Sequence, residues 1–107
     1  MTPSATEPDL PTIQALSVLS REMGPGRWRT CSDAAQVVAS YLACHPRVAS
    51  VRYPGLRGDR LYPQASCELV GGFGPIVCYE EMAMGAWHRL DLTDVGDVRA
   101  FILELAV

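Results

Sequence analysis

One stretch constrains the fold of this chain more than any other. Gly71-Gly72-Phe73-Gly74-Pro75 leads into Ile76-Val77-Cys78-Tyr79-Glu80-Glu81. Apolar residues run without a break from Ile76 to Tyr79, and such a run, entered from glycine and proline, predicts a central strand covered on both faces. A central strand needs a neighbour on each side. Upstream, Val48 to Tyr53 alternates, with Ala49, Val51 and Tyr53 on one face and Ser50 and Arg52 on the other, and Pro54-Gly55 ends it. Downstream, Met82 to Gly85 reads as a turn. From Ala86 to Leu92 alternation resumes, with Ala86, His88, Leu90 and Leu92 opposite Trp87, Arg89 and Asp91, which is the pattern of a hairpin partner.

The rest of the chain carries helical spacing. Ile13, Leu16, Leu19 and Met23 recur along a helix from Pro11 to Met23 that Gly24-Pro25-Gly26 stops. Arg27 to Asp33 reads as a connection. Asp33 followed by Gln36 resembles a capping box opening a second helix, with Ala34, Val37, Val38, Tyr41 and Leu42 as its apolar stripe. Pro46 biases His45 away from helical geometry, so this helix is expected to end near Cys44. Arg57 to Arg60 reads as a polar loop, and Pro63 to Val70 as a short helix closed by Gly71-Gly72. A last helix, capped by Thr93 or Asp94, carries Val95, Val98, Phe101, Ile102 and Leu105 as its stripe. The order is helix, helix, strand, short helix, strand, strand, helix. It lacks regular strand-helix alternation and predicts an α+β two-layer sandwich, with helices packed on a mostly antiparallel sheet of about three strands.

A chain of 107 residues holds one core. Met1 to Pro8 mixes Pro, Ser and Thr with almost nothing to bury, so residues 1–8 are expected to form a mobile tail before a single domain over 9–107. The net charge of -3 offers no basic field for a phosphate backbone, which argues against nucleic acid as a partner. No basic start followed by an apolar run opens the chain, and no apolar segment approaches membrane-spanning length, so the expected place is the cytoplasm, with no membrane partner. Cys31, Cys44, Cys67 and Cys78 lie far apart without metal-ligand spacing and are expected to be reduced, mostly buried thiols.

Several short motifs follow one another in a fixed order along the chain. They are His45-Pro46-Arg47-Val48, Tyr53-Pro54-Gly55-Leu56, Pro63-Gln64, Gly72-Phe73-Gly74 and Glu80. This series, with the helix before it, resembles the pyridoxal-phosphate-dependent Cys/Met metabolism family of cystathionine lyases and synthases, over roughly half to two-thirds of the chain. The resemblance falls in the start of that family's C-terminal, smaller domain. It implies a truncated domain without the large domain that holds the cofactor.

The implied chemistry is absent from these residues. Family members hold the cofactor aldehyde as a Schiff base on a lysine, which also moves the substrate proton. All nine basic residues here are arginine, so the chain is not by itself a lyase of this kind, and pyridoxal phosphate is not expected to bind covalently. Pro75 also stands where the family has a second glycine after Phe-Gly.

Other chemistry fares no better. His45 beside Cys44 or Cys78 could make an activated nucleophile, but the His-Pro junction is explained by the turn. His88 alternates onto an apolar face, where a histidine satisfied by a neighbour outweighs a metal ligand. Gly71 to Pro75 lacks the lysine and spacing of a phosphate loop, and Glu80 and Glu81 point to opposite faces and are expected to be solvated. No catalytic, cofactor-binding or metal residue is therefore assigned.

Trp28, Tyr53, Met82, Met84 and Trp87 form the candidate interaction surface, because aromatic and Met side chains are favoured in contact surfaces. The expected function is a non-catalytic module acting through self-association, for instance as a homodimer, or through a separate protein partner. The alternatives are a subunit of a split enzyme whose cofactor domain is encoded separately, or a small sensor of sulfur amino acids.

Overall fold

Helix α1 (Ile13–Met23) starts where Thr12 Oγ1 accepts a hydrogen bond from the Ala15 N–H at 3.0 Å, in a computed structural model that describes residues 10–105. The tail expected over 1–8 lies outside the described residues. Gly24, at φ 84°, ends α1 and directly precedes α2 (Pro25–Ala43). A positive φ is open to glycine at no steric cost, and Pro25 presets the first turn of the next helix. Two helices thus join through one residue.

Here the expected connection over Arg27 to Asp33 is corrected. Those residues are helical, so α2 is far longer than the capping box implied. Trp28, Cys31, Ala35, Val38 and Leu42 are all buried and stand at helical spacing, which continues the apolar stripe toward the N-terminus. Asp33 makes an i,i+4 ion pair with Arg29 at 3.4 Å, and Gln36 donates to the Gly55 carbonyl at 3.1 Å. Neither caps a helix. Within the expected stripe Val37 and Tyr41 are exposed, because the stripe through Ala35, Val38 and Leu42 faces the sheet and leaves them on the flank.

The sheet is antiparallel and open, in the order β1 (Val48–Arg52), β2 (Ile76–Glu81), β3 (Trp87–Asp91). Its central strand is the apolar run read from sequence. Register slips between Val48 and Ser50, a β-bulge that adds Ala49 as an extra residue. The slip corrects the simple alternation expected over β1: Val48 and Val51 both reach the core, whereas Ala49 is exposed. Helix α3 (Tyr62–Glu68) has Pro63 in its first turn, and α4 (Val98–Glu104) is capped by Asp97, whose side chain accepts from the Ala100 N–H at 3.2 Å. Thr93 and Asp94 therefore do not cap it. Thr93 bonds to Asp91, and Asp94 pairs with Arg27 at 3.0 Å.

Two apolar clusters result. Ala35, Val38, Ala39 and Leu42 of α2 pack with Val77, Tyr79 and Leu92, and α4 lays Val98, Phe101 and Ile102 against them. Ile13, Leu16, Trp28 and Ala65 join α1, α2 and α3, and Phe73 touches both clusters. The fold is α+β, with α2 as the shared wall.

Candidate functional site

The glycine phrase and the Tyr-Pro-Gly turn meet on α2. Tyr53 Oη donates to the Gly74 carbonyl at 2.8 Å and reaches the Ser32 carbonyl at 3.3 Å. Ser32 Oγ accepts from the Gly74 N–H at 3.0 Å. Gly71, Gly72 and Gly74 all have positive φ, and a Cβ at Gly72 would run into Ser32. Backbone approach of this closeness is what glycine permits. The motif is a junction between elements, held by Ser32, Gln36 and Tyr53.

This junction corrects two of the five surface residues. Trp28 is buried between Leu16 and the glycine turn, and Tyr53 is buried in the main core with its hydroxyl bonded, so neither reaches a surface. The indole Nε1 of Trp28 has no hydrogen-bond partner among the described residues. The other three do lie outward. Met82 and Met84, in the β2–β3 turn, are 59% and 81% exposed, and Trp87 is half-buried at the start of β3.

Trp87 lines an open groove of about 680 Å³ that follows all of β1 and continues along Leu56 to Arg60. One wall of it hangs on a residue that sequence reasoning passed over as polar loop. Asp59, whose side chain is 1% exposed, takes Arg52 Nε at 2.8 Å and Nη2 at 3.3 Å. The same carboxylate accepts from the Tyr53 N–H at 3.1 Å and the Leu61 N–H at 2.9 Å. A carboxylate that accepts from two backbone amides and a guanidinium fork is firmly held, because charge-assisted bonds are the strong ones. The available signal was an Asp two residues before Leu61, the spacing of an Asx-turn.

Elsewhere the titratable groups are structural. His45 Nδ1 accepts from the Arg47 N–H at 3.0 Å and the ring meets Tyr41 edge-on, while the neighbouring Cys44 thiol is exposed. His88 stacks on Tyr79 and bonds Glu81 at 2.9 Å, which also makes Glu81 a partner rather than a solvated carboxylate. Cys31 and Cys78 are buried, but Cys44 and Cys67 are exposed, so the expectation of mostly buried thiols is corrected for half of them. Cys44 lies past the buried stripe of α2 and Cys67 on the outer side of α3. Among the described residues no three His, Cys, Asp or Glu side chains gather as a metal set, and no helix is long and apolar enough to cross a membrane.

Burial pushes the Tyr53 hydroxyl and the Cys31 thiol above their ordinary values of 10.0 and 9.0. Tyr79 is raised by burial and, secondly, by the Glu81 carboxylate. The folded state therefore holds these protons longer than the unfolded chain does. Stability is full below the unfolded values and is lost as pH climbs past them. Urea midpoints taken from about pH 8 to about pH 11 are expected to fall, and Tyr53→Phe is expected to flatten that fall. A profile that stays level above pH 10 would contradict the burial argument.

No protein-family model matches the chain, and no curated protein matches it either.

Proposed function

We propose that the chain is a non-catalytic interaction module, built like part of the small domain of the Cys/Met metabolism enzymes, that binds protein through the end of its sheet. The observation that carries this reading is the exposure of Met82 and Met84 in the β2–β3 turn, just before the half-buried Trp87. Flexible thioethers and a part-exposed indole are the side chains that contact surfaces favour. Supporting it is the composition: no lysine among the 107 residues is present to form a Schiff base.

Mixing pure protein with pyridoxal phosphate and a thioether amino acid should give no aldimine absorbance and no ketoacid. Clear turnover by the isolated chain overturns the reading. Met82→Ser with Met84→Ser should leave stability within about 0.5 kcal/mol, as expected of exposed positions. Sedimentation velocity then identifies the partner class. A mass that rises with concentration, and ceases to rise in the double variant, makes the partner a second copy. A monomer throughout makes it a different protein.

A further inference from the structure

Helix α1 is attached differently from the rest of the fold. Of its eleven residues Ile13 and Leu16 alone are buried, and with Leu19 and Met23 they join Trp28, Ala65 and Phe73 in the smaller cluster, separate from the main core on which α4 lies. Its side-chain hydrogen bonds stay within the helix and its cap. Thr12 Oγ1 accepts from the Ala15 N–H, the Ser20 hydroxyl donates to the Ser17 carbonyl, and Arg21 donates to the Ser17 hydroxyl. Among the described residues no hydrogen bond or ion pair runs from α1 to another element. Helix α2, by contrast, is tied by Ser32 to Gly74 at 3.0 Å, by Gln36 to Gly55 at 3.1 Å and by Arg27 to Asp94 at 3.0 Å.

The joint between the two helices is free to turn. The Gly24 N–H donates to the Ser20 carbonyl at 3.1 Å and closes α1, while the Gly24 carbonyl accepts from the Trp28 N–H at 3.0 Å and opens α2. The φ and ψ torsions of Gly24 lie between those two bonds, so rotation there swings α1 as a rigid body and breaks neither helix. Gly24 stands at φ 84°, and a Cβ placed on it meets nothing within 4 Å. Glycine crosses between backbone regions at little steric cost, and a few residues at element ends are the usual pivots of hinge motion. Beneath α1 lies Trp28, 1% exposed, with an indole Nε1 that has no hydrogen-bond partner among the described residues. A buried donor left unpaired is costly, and once α1 has gone the ring can turn its N–H to water. That gain offsets part of the apolar packing lost on opening.

We infer that α1 is a hinged cover: it lifts about Gly24 as one helix, bares Trp28 and Ala65, and docks again while α2, the sheet and α4 stay folded. Opening gives up the burial of Ile13 and Leu16 and no polar bond, whereas unfolding the remainder gives up the main core and the junction at Ser32. Openings short of global unfolding fall where buried apolar contacts are few. Trp28, expected at a contact surface and found inside, reaches solvent in the open form. The cover thereby controls when that indole is presented, and the inference stands apart from the surface proposed at Met82 and Met84.

The test is native-state hydrogen exchange of the full chain, followed by NMR in rising urea below the unfolding transition. The amides of residues 16–24 should exchange as one set, about tenfold or more faster than those of β2. Their rates should also respond less steeply to urea, because lifting one helix exposes less surface than unfolding the domain. The Trp28 indole N–H should exchange with the α1 set. One common rate and slope for α1 and β2, rates graded along α1 as in fraying, or an indole N–H that exchanges with β2 overturns the inference. Leu16→Asp supplies a second measurement, since a carboxylate at that buried position holds the cover open. In that variant the α1 amides should lose protection while β2 keeps its own. Collapse of the whole domain, or α1 protection equal to the parent's, overturns the inference as well.

Discussion

Asp59→Ala is expected to cost about 3–5 kcal/mol of folding free energy, the range for removing one partner of a buried ion pair. Three groups lose an acceptor together: the Arg52 guanidinium, the Tyr53 N–H and the Leu61 N–H. Arg52 is itself only 16% exposed at its side chain, so water replaces the carboxylate poorly. Set against a total stability of roughly 5–15 kcal/mol for an ordinary domain, this one change brings the chain close to unfolding. Asp59→Asn keeps the shape and an oxygen acceptor while losing the charge, and should fall between Asp59→Ala and the parent. Replacing both partners, Arg52→Met with Asp59→Leu, should recover much of the loss, because a buried pair compares poorly with packed apolar groups of similar volume. Urea denaturation of the four proteins checks the series. A midpoint for Asp59→Ala equal to that of the parent would remove Asp59 as the anchor of the groove wall.

What could be read in advance followed the range of the forces involved. The three strands were legible because side-chain alternation and the Ile76–Tyr79 run are local signals, and the run's continuity marked the middle of the sheet. The first part of α2 was not read, because Asp33 and Gln36 imitate a capping box while the Arg, Thr and Ser around Trp28 look like a connection. The spacing of Trp28, Cys31 and Ala35 was available and points to the longer helix. The bulge at Ala49 has no signature within its own strand. It comes from pairing to Glu80 and Glu81, about thirty residues away in the chain.

The site was legible in its exposed part and illegible in its buried part for the same reason. Met82 and Met84 lie in a turn that composition alone placed at the surface. Trp28 and Tyr53 carry the same amphipathic chemistry, and only long-range contacts decide that they go inside: the Tyr53 hydroxyl finds the Gly74 carbonyl and Trp28 packs with Leu16. Asp59 shows the converse. In sequence it is one charge in a polar loop flanked by arginines, and its value as an anchor appears once Pro54-Gly55 has folded the chain back onto Arg52.

Gly72→Ala carries the other large effect and tests whether the glycine phrase is a scaffold junction. At φ 151° the backbone lies where a side chain is strained, at a cost of order 1–3 kcal/mol. Its new Cβ would also collide with the Ser32 side chain, whose Oγ holds the Gly74 N–H at 3.0 Å. Crowding of a packed site adds a similar amount, so a total of about 2–6 kcal/mol is expected, with much of it from the displaced Ser32. Gly26→Ala is the control. It lies in the first turn of α2 with nothing within 4 Å of a Cβ, and there the same chemical change should leave the protein level or about 0.5 kcal/mol more stable. Ser32→Gly removes the colliding atoms but leaves the backbone angle untouched. In a double-mutant cycle, Gly72→Ala should therefore cost less in the Ser32→Gly background than alone, yet still cost something. Equal effects of Gly72→Ala in both backgrounds would mean that the glycine turn does not press on α2 at Ser32, and the junction would lose its physical basis.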